Sequence, residues 1–185
     1  MSEKNHPYVR LARVTVERLL GGKPLPASGA EVALEAEQGL WSPKRACFVS
    51  IKTFRGDLRG CIGTLLPASP RLDLEIISNA VAASTRDPRF SPMVARELEE
   101  TEFSVDVLSP PESVMNRGEL DPIQWGVIVS RGPLRGVLLP DLEGVDTVER
   151  QLDIAARKAG MRSAADIAEI ERFRVERYKE KAHGL

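Results

Sequence analysis

A long internal repeat constrains the fold of this chain more than any other feature of its sequence. The segment FRGDLRG at 54–60 is matched by SRGPLRG at 130–136, and LLP at 65–67 is matched by LLP at 138–140. Both intervals exceed 70 residues, which is far longer than the repeating unit of a solenoid. Two similar halves that pack around a shared sheet are therefore predicted.

Each half is predicted to contain the same elements in the same order: a β-hairpin, a helix, a short helix and a closing strand. Alternating apolar residues mark the closing strands, in which Phe103 is matched to Phe173. The two copies are placed at about 44–109 and 122–178, within a single domain over residues 1–185. The predicted fold class is α+β.

The composition and charge of the chain disfavour two classes of partner. Hydrophobic residues make up 42% and charged residues 29% of the chain, and the formal net charge is -1. Nucleic-acid binders and membrane-surface binders usually carry a basic excess, so neither function is favoured. No apolar run approaches the roughly 18 residues of a membrane-spanning helix, and the first residues lack the apolar core of a signal peptide. We therefore expect a cytoplasmic protein that does not bind membranes.

The residue types that bind metals are few and scattered. Cys47 and Cys61 are the two cysteines, while His6 and His183 lie near opposite ends of the chain. Because their spacing matches no metal-binding motif, neither a metal nor a cofactor is expected. A hairpin turn between the cysteines would separate them by roughly 13 Å along the strands, which is too far for a disulfide. Both are therefore predicted to be free thiols, with Cys47 in the core.

The segment LRGCIGT at 58–64 differs between the two halves. LRG recurs after 76 residues but LLP recurs after 73, so the first half has three more residues between these matches. Residues found in only one half are free to serve function, and this insertion is predicted to bulge the strand. Gly60 and Gly63 suit a close approach of the backbone to a bulge or a ligand.

Cys61 is the candidate reactive group of this segment. On a regular strand Arg59, Cys61 and Gly63 point to one face, where the guanidinium would favour the thiolate and lower the pKa of the thiol. A carboxylate such as Asp87, or the substrate itself, would have to serve as the base, because no histidine lies in this part of the sequence. The alternative is that Cys61 is a small buried apolar residue, as most free cysteines are.

A second cluster of polar residues, at 84–90, follows the first long helix of the repeat and has no counterpart in the second half. Arg86 and Arg89, together with Arg59, are suited to binding a phosphate or a carboxylate. The alternative is a surface turn in which Asp87 accepts local backbone hydrogen bonds and Phe90 fills the core.

These motifs resemble the AMMECR-type domain family. The segments GDLRGCIGTLLP, DPRFSP, FSVDVLSPPE and RGVLLPDLEGVDTVERQ carry the resemblance, which covers nearly the whole chain. It implies a duplicated α+β unit that forms a barrel-like mixed sheet with two unequal lobes. Bacterial and archaeal members are known as protein A of the AmmeMemoRadiSam system, which implies a Memo-like protein and a radical SAM protein as partners. Many members have a Glu-x-Gly-Trp segment where this chain has residues 141–146, so no role of that tryptophan transfers.

Three functions remain open from the sequence. The first is an enzyme, or a substrate-handling subunit, that holds a small anionic or nucleotide-like ligand at LRGCIGT with the backbone N–H groups of residues 60–64. The second is a non-catalytic module that docks the Memo-like and radical SAM proteins through the same segment. The third is nucleic-acid binding through scattered Arg-Gly pairs. The predicted catalytic residues are Cys61, Arg59 and Asp87, and the predicted ligand-binding residues are Leu58, Gly60, Ile62, Gly63, Thr64, Arg86, Pro88, Arg89 and Phe90.

Overall fold

The computed structural model describes residues 5–33, 39–41 and 43–180, so His183 lies outside the described residues. The α-helices are α1 (Pro7–Leu20), α2 (Leu72–Thr85) and α3 (Val148–Lys158), and short 3-10 helices lie at Gly29–Glu31, Ala95–Glu100, Arg117–Glu119 and Ala164–Asp166. The strands are β1 (Cys47–Thr53), β2 (Leu58–Gly63), β3 (Thr101–Leu108), β4 (Glu112–Ser113), β5 (Gly126–Arg131), β6 (Leu134–Leu138), β7 (Glu169–Phe173) and β8 (Val175–Lys179).

Local sequence explains where these elements begin and turn. Helix α1 starts with Pro7 in its first turn, where a missing N–H costs nothing, and its apolar residues recur at helical spacing and are buried. The β1–β2 hairpin turns at Gly56 with φ 90°, and the β5–β6 hairpin turns at Gly132 with φ 56°. Both angles lie in the left-handed region that glycine adopts without steric cost. Hairpins were predicted at both places.

The chain divides into two compact units. The first unit comprises Met1–Val107 and Arg177–Leu185, and the second comprises Leu108–Glu176. One sheet has the strand order β2-β1-β3-β8, and the other has the order β4-β7-β5-β6. In the first unit α1 and α2 pack together and α2 covers β1 and β2, while in the second unit α3 covers β5 and β6.

The predicted α+β class is confirmed, but the barrel-like mixed sheet is not. Among the described residues there are two separate four-stranded sheets, both antiparallel, and no closed barrel. A barrel requires the two outer strands of a sheet to pair with each other. In the first sheet the outer strands are β2 and β8, and they are not neighbours.

The order of elements recurs along the chain. The first unit contains β1, β2, α2, a 3-10 helix and β3, and the second contains β5, β6, α3, a 3-10 helix and β7. Strand order follows the same pattern, since β2-β1-β3 in one sheet corresponds to β6-β5-β7 in the other. Gly60 and Gly136 occupy equivalent places, because each lies directly against a carbonyl of the covering helix, that of Ala83 or Ala155.

The strand register corrects the predicted insertion. Ile51 pairs with Gly60 and Ser50 with Cys61, just as Val129 pairs with Gly136 and Ile128 with Val137. Cys61 therefore has a counterpart, Val137, in the second hairpin, and the strand contains no extra residues after Gly60. A bulge does occur, but it lies on the other side of Gly60, where the register shifts between Ile51 and Lys52.

The register also separates two phenylalanines that the sequence matched. Phe103 lies opposite Ile51, while the residue opposite the equivalent Val129 is Ile170. Phe173 therefore lies three positions further along β7 than the residue that corresponds to Phe103. The similarity of local sequence was real, but pairing partners define equivalence in a sheet.

Candidate functional site

Cys61 lies in a row of small polar side chains that crosses three strands of the first sheet. Ser50 of β1 pairs with Cys61 of β2 on one side and with Ser104 of β3 on the other. Residues directly opposite one another in a sheet project from the same face. The Ser50 hydroxyl donates a hydrogen bond to the Cys61 sulfur, with an Oγ to Sγ distance of 3.1 Å. Cys61 is partly exposed, so this thiol is not a core residue.

The backbone of Cys61 is bound by the side chains of the second predicted cluster. The Cys61 N–H donates to Asp87 Oδ2 at 2.9 Å, and Arg89 Nη2 donates to the Cys61 carbonyl oxygen at 3.3 Å. The Arg89 guanidinium also donates two hydrogen bonds to Asp87, at 2.9 Å and 2.7 Å, and the Arg89 backbone N–H donates a third at 3.1 Å. We call Asp87 and Arg89 the clamp. It joins the LRGCIGT and DPRF segments at one residue.

The clamp fixes the charge of its carboxylate. Asp87 is buried, with 3% of its surface exposed, although burial of an unpaired carboxylate is costly. Hydrogen bonds from the Arg89 guanidinium hold the pKa of Asp87 well below its usual range, and the Cys61 N–H adds to this effect, against the opposing effect of burial. Asp87 is therefore an anion committed to the clamp, and the structure does not support its predicted role as a base.

Arg59 lies at the bulge of β2, between Leu58 and Gly60. Its guanidinium is paired with a carboxylate that was not predicted from the sequence. Its guanidinium donates to both oxygens of Glu97, at 2.6 Å and 3.1 Å, and to the Ser91 carbonyl oxygen at 3.0 Å. These hydrogen bonds lower the pKa of Glu97. The predicted effect of Arg59 on the thiol assumed an unpaired guanidinium, whereas the structure balances its charge.

The side chain of Phe90 lies between two of the predicted arginines. Its ring centroid is 5.8 Å from the guanidinium carbon of Arg59 and 5.6 Å from that of Arg89. Both distances allow cation–π attraction. Phe90 is partly exposed and does not belong to the buried core, so its predicted alternative role as a core plug is wrong.

Arg86 and Pro88 complete the turn and are exposed. Among the described residues, the Arg86 guanidinium has no ion pair and no hydrogen-bond acceptor, which distinguishes it from Arg59 and Arg89. The Arg89 side chain is 55% exposed despite its bond to Asp87. Within the 84–90 turn, Arg86 and Arg89 are therefore the cations that solvent can reach.

The remaining predicted residues of strand β2 mainly make packing contacts within the fold. Gly60 lies against helix α2, Ile62 packs on the core, and Gly63 lies under the Phe48 ring, where an added Cβ would come within 2.3 Å of ring carbons. Leu58 is partly exposed at the start of β2. These contacts explain both glycines without a ligand.

The predicted cradle of backbone N–H groups is wrong at two of its positions. The Cys61 N–H is bound by the clamp, and the Thr64 N–H donates to the Cys47 carbonyl oxygen at 3.1 Å. The amides of alternate residues in a paired strand point into the sheet, and so they cannot converge on one anion.

A buried carboxylate, Glu75, organises the loop after the strand. It accepts hydrogen bonds from the Thr64 hydroxyl and from the N–H groups of Ala68 and Ser69, at 3.3 Å and 2.7 Å. Thr64 is thus engaged in the fold. Glu75 was not predicted, although its place in the first turn of α2 is a usual one for a carboxylate that binds backbone N–H groups.

Cys47 differs from Cys61 in its exposure to solvent, which bears directly on reactivity. Both cysteines are free thiols, but Cys47 is fully buried. Burial raises the pKa of the Cys47 thiol to about 12, against a hydrogen bond from Asn79 that acts in the opposite direction. Because the thiolate is the reactive form, only Cys61 is suited to thiol chemistry.

Two further features hold for the described residues. No group of three or more His, Cys, Asp or Glu side chains in this part of the chain could hold a metal ion. The helices within the same ranges are all too short or too polar to cross a membrane.

The sequence matches the AMMECR1 domain family over residues 9–182. A protein of Thermotoga maritima is 49% identical over 175 residues, which cover 94% of this chain and 98% of that protein. A protein of Clostridium acetobutylicum is 47% identical over 178 residues, and the match covers 96% of this chain but 37% of that longer protein.

The fold is also similar to a solved structure, that of the uncharacterised protein PH0010 of Pyrococcus horikoshii. The TM-score is 0.80 at 27% sequence identity, and the match covers 98% of this chain and 95% of that one. The family match and the Thermotoga relative each extend over nearly the whole chain, including both hairpins and the segment of the clamp. This chain therefore belongs to the AMMECR1 family.

Proposed function

We propose that this protein binds a small anionic ligand on the surface around Cys61 and acts as an enzyme, or as the substrate-handling subunit of one. Arg86 and Arg89 would hold the anionic group, and the Cys61 thiol would be the reactive group beside it. Memo-like and radical SAM proteins are the partners that family resemblance brings to this proposal.

The observation that supports this proposal is the clamp. It brings an accessible guanidinium to the residue that carries the thiol, since Arg89 contacts the Cys61 carbonyl at 3.3 Å and its side chain is 55% exposed. Arg86 adds a second exposed guanidinium with no counter-charge among the described residues. Guanidinium groups favour carboxylates and phosphates because their planar donors match the geometry of these anions.

A second candidate function, docking of a protein partner, is supported by a different observation. Three large apolar side chains that follow or precede the site segments in sequence are exposed: Phe54 by 61%, Leu66 by 52% and Val94 by 46%. Exposed apolar side chains can supply the apolar surface that a protein interaction site needs. In this alternative the partner would cover Cys61, and no small ligand would bind.

Ligand protection of the thiol tests the proposal. Native protein is treated with iodoacetamide in the presence of inorganic phosphate, inorganic pyrophosphate or acetate, and the rate of Cys61 alkylation is measured by mass spectrometry. Cys47 need not be replaced, since it is buried. We expect at least one anion to slow alkylation saturably, and we expect Arg86→Gln and Arg89→Gln to weaken this protection about tenfold each.

Arg55→Gln is the matched control, because Arg55 is an exposed arginine at the tip of the β1–β2 hairpin. It should leave protection unchanged. If none of the anions protects the thiol, the ligand-binding proposal is wrong. Protection that is equally strong in the Arg86, Arg89 and Arg55 variants would also overturn it, since the anion would then act elsewhere.

A further inference from the structure

The second unit contains a cleft of about 660 Å³ that no predicted site residue lines. This volume falls within the range of small-molecule sites, which is roughly 300–1,000 Å³. The floor of the cleft is the face of the second sheet on which Arg135, Ser130 and Glu169 lie side by side, since Ser130 pairs with both of the others. Glu171 lies two residues beyond Glu169 and projects from the same face.

Two of the charged groups in the cleft neutralise each other. Arg135 donates to Glu171 with a distance of 3.0 Å between Nη2 and Oε2. Their side chains are 43% and 33% exposed, which leaves this pair at the surface of the floor. The pair therefore adds no net charge to the cleft in which a ligand would bind.

The other two charged groups have no ionic partner among the described residues. The Glu169 carboxylate accepts one hydrogen bond, from the Ser130 hydroxyl at 3.3 Å. The Arg117 guanidinium donates to one backbone oxygen, that of Ala164, at 3.2 Å. The cleft is thus lined by one carboxylate and one guanidinium whose charges the described part of the protein leaves unbalanced.

Apolar residues also border the cleft, although Ile170 alternates with Glu169 and Glu171 along β7 and so faces the core. Val114, Ile167 and Ile170 line the cleft and also pack against the core of the second unit. Met115 lines the cleft as well and is 93% exposed, which is unusual for a large apolar side chain. A ligand that covered Met115 would bury apolar surface as it bound.

We propose that this cleft binds a zwitterion that carries an ammonium group, a carboxylate group and an aliphatic side chain, namely a free amino acid or a short peptide. Glu169 and Ser130 would hold the ammonium group, Arg117 would hold the carboxylate group, and Met115 would cover the aliphatic part. A phosphate-rich ligand fits less well, because Glu169 would repel it. This inference does not depend on the function proposed for the Cys61 surface, since different residues carry it.

Binding is tested by following backbone amide signals in NMR spectra of the complete chain during titration. The probes are L-leucine and L-leucyl-L-leucine, which distinguish an amino-acid site from a short-peptide site. N-acetyl-L-leucine lacks the ammonium charge and L-leucinamide lacks the carboxylate. We expect one of the two zwitterions to shift the signals of Ser130 and Glu169 saturably, and each blocked analogue to bind about tenfold more weakly or worse.

Two variants test whether Glu169 binds the ammonium group and whether Arg117 binds the carboxylate group. Glu169→Gln should weaken zwitterion binding about tenfold while leaving the already weak N-acetyl analogue unaffected, and Arg117→Gln should do the same with respect to leucinamide. Glu149→Gln and Arg150→Gln, which change exposed residues of α3 outside the cleft, should bind as the wild type does. The inference is wrong if neither zwitterion gives saturable shifts up to about 10 mM, or if the blocked analogues bind equally well.

Discussion

Gly60 lies so close to Ala83 that a Cβ added to the glycine would come within 2.1 Å of the Ala83 carbonyl oxygen. That oxygen belongs to the backbone of helix α2, so the helix itself would have to move. We expect Gly60→Ala to destabilise the protein by about 2–3 kcal/mol, because overpacking against backbone cannot be relieved by a rotamer change.

Urea unfolding measures this effect, and Gly39→Ala is the control. No heavy atom of the described residues lies within 4 Å of the Cβ position at Gly39, so that change should alter stability by less than about 0.5 kcal/mol. An unchanged unfolding midpoint in Gly60→Ala would show that α2 does not lie as close to the strand as described.

Asp87→Asn removes the charge of the clamp. We expect a loss of about 1–2 kcal/mol at pH 7, because the bonds to Cys61 and Arg89 are weakened while half-exposed Arg89 can turn to solvent. The pKa of Asp87 is lowered in the folded protein, so its contribution to stability is complete above the unfolded value of about 3.9 and is lost as the pH falls below it.

The free energies of unfolding of wild type and Asp87→Asn should therefore converge as the pH falls from about 4 towards 2. Chemical denaturation at a series of pH values measures the convergence. Asp57→Asn, at an exposed position in the hairpin turn, should stay close to wild type throughout. A gap between wild type and Asp87→Asn that stays constant down to pH 2 would contradict the assigned charge.

Ser50→Ala removes the hydroxyl that donates to the Cys61 sulfur at 3.1 Å. A donated hydrogen bond favours the ionised sulfur, which is the form that reacts with iodoacetamide. We expect alkylation of Cys61 at pH 8 to slow by about two- to tenfold, as the loss of one hydrogen bond predicts.

Mass spectrometry of the labelled peptides measures this rate and reports Cys47 at the same time. Ser104→Ala is the matched control, since Ser104 flanks Ser50 on the side away from Cys61. Equal rates in Ser50→Ala and wild type would mean that the hydroxyl does not act on the sulfur. Cys47, whose pKa is raised to about 12, should be labelled only on unfolding.

Glu75→Gln weakens the hold on the loop that follows β2. The neutral amide offers one acceptor oxygen where the carboxylate offers two, and at least one of the three donors from Thr64, Ala68 and Ser69 would lose its partner. We expect a loss of about 1–3 kcal/mol and faster hydrogen exchange at the Ala68 and Ser69 amides.

Hydrogen exchange followed by NMR gives the site-specific result. Glu149→Gln changes an exposed acidic residue in the first turn of a different helix, α3, and should leave these two amides unaffected. If Glu75→Gln also leaves their exchange unaffected, Glu75 does not organise the loop.

The elements of this fold were predictable because their signals are local. The spacing of apolar residues in α1 and the glycines of the hairpin turns act within a few residues of chain. The arrangement of strands into two separate sheets was not predictable in this way, because it depends on which distant strands pair. The same holds for the place of Cys61: its counterpart Val137 is identified by cross-strand partners, whereas counting residues between sequence matches suggested an insertion.

In the candidate site, too, local features were predictable and contacts between distant residues were not. Residue types alone singled out Cys61 and the nearby arginines, with a buried cysteine as the alternative, and the clamp joins two segments that the sequence had singled out separately. The residues that pair with those arginines could not be predicted from the sequence. Glu97 lies in an acidic run that looks like a solvated surface, and only the folded chain brings it to Arg59. Charges that appear free in a sequence are often balanced by residues that are distant in it.

The clamp has a consequence for how this protein behaves among other copies of itself. An outer strand such as β2 presents N–H and C=O groups that can pair with a strand of another chain, which is a common route to aggregation. At Cys61 the outward N–H is bound by Asp87 and the outward carbonyl by Arg89. These side chains occupy the place that an incoming strand would need. Asp87 and Arg89, which bind the backbone of the residue that carries the thiol, therefore also hinder the addition of another strand to this edge of the sheet.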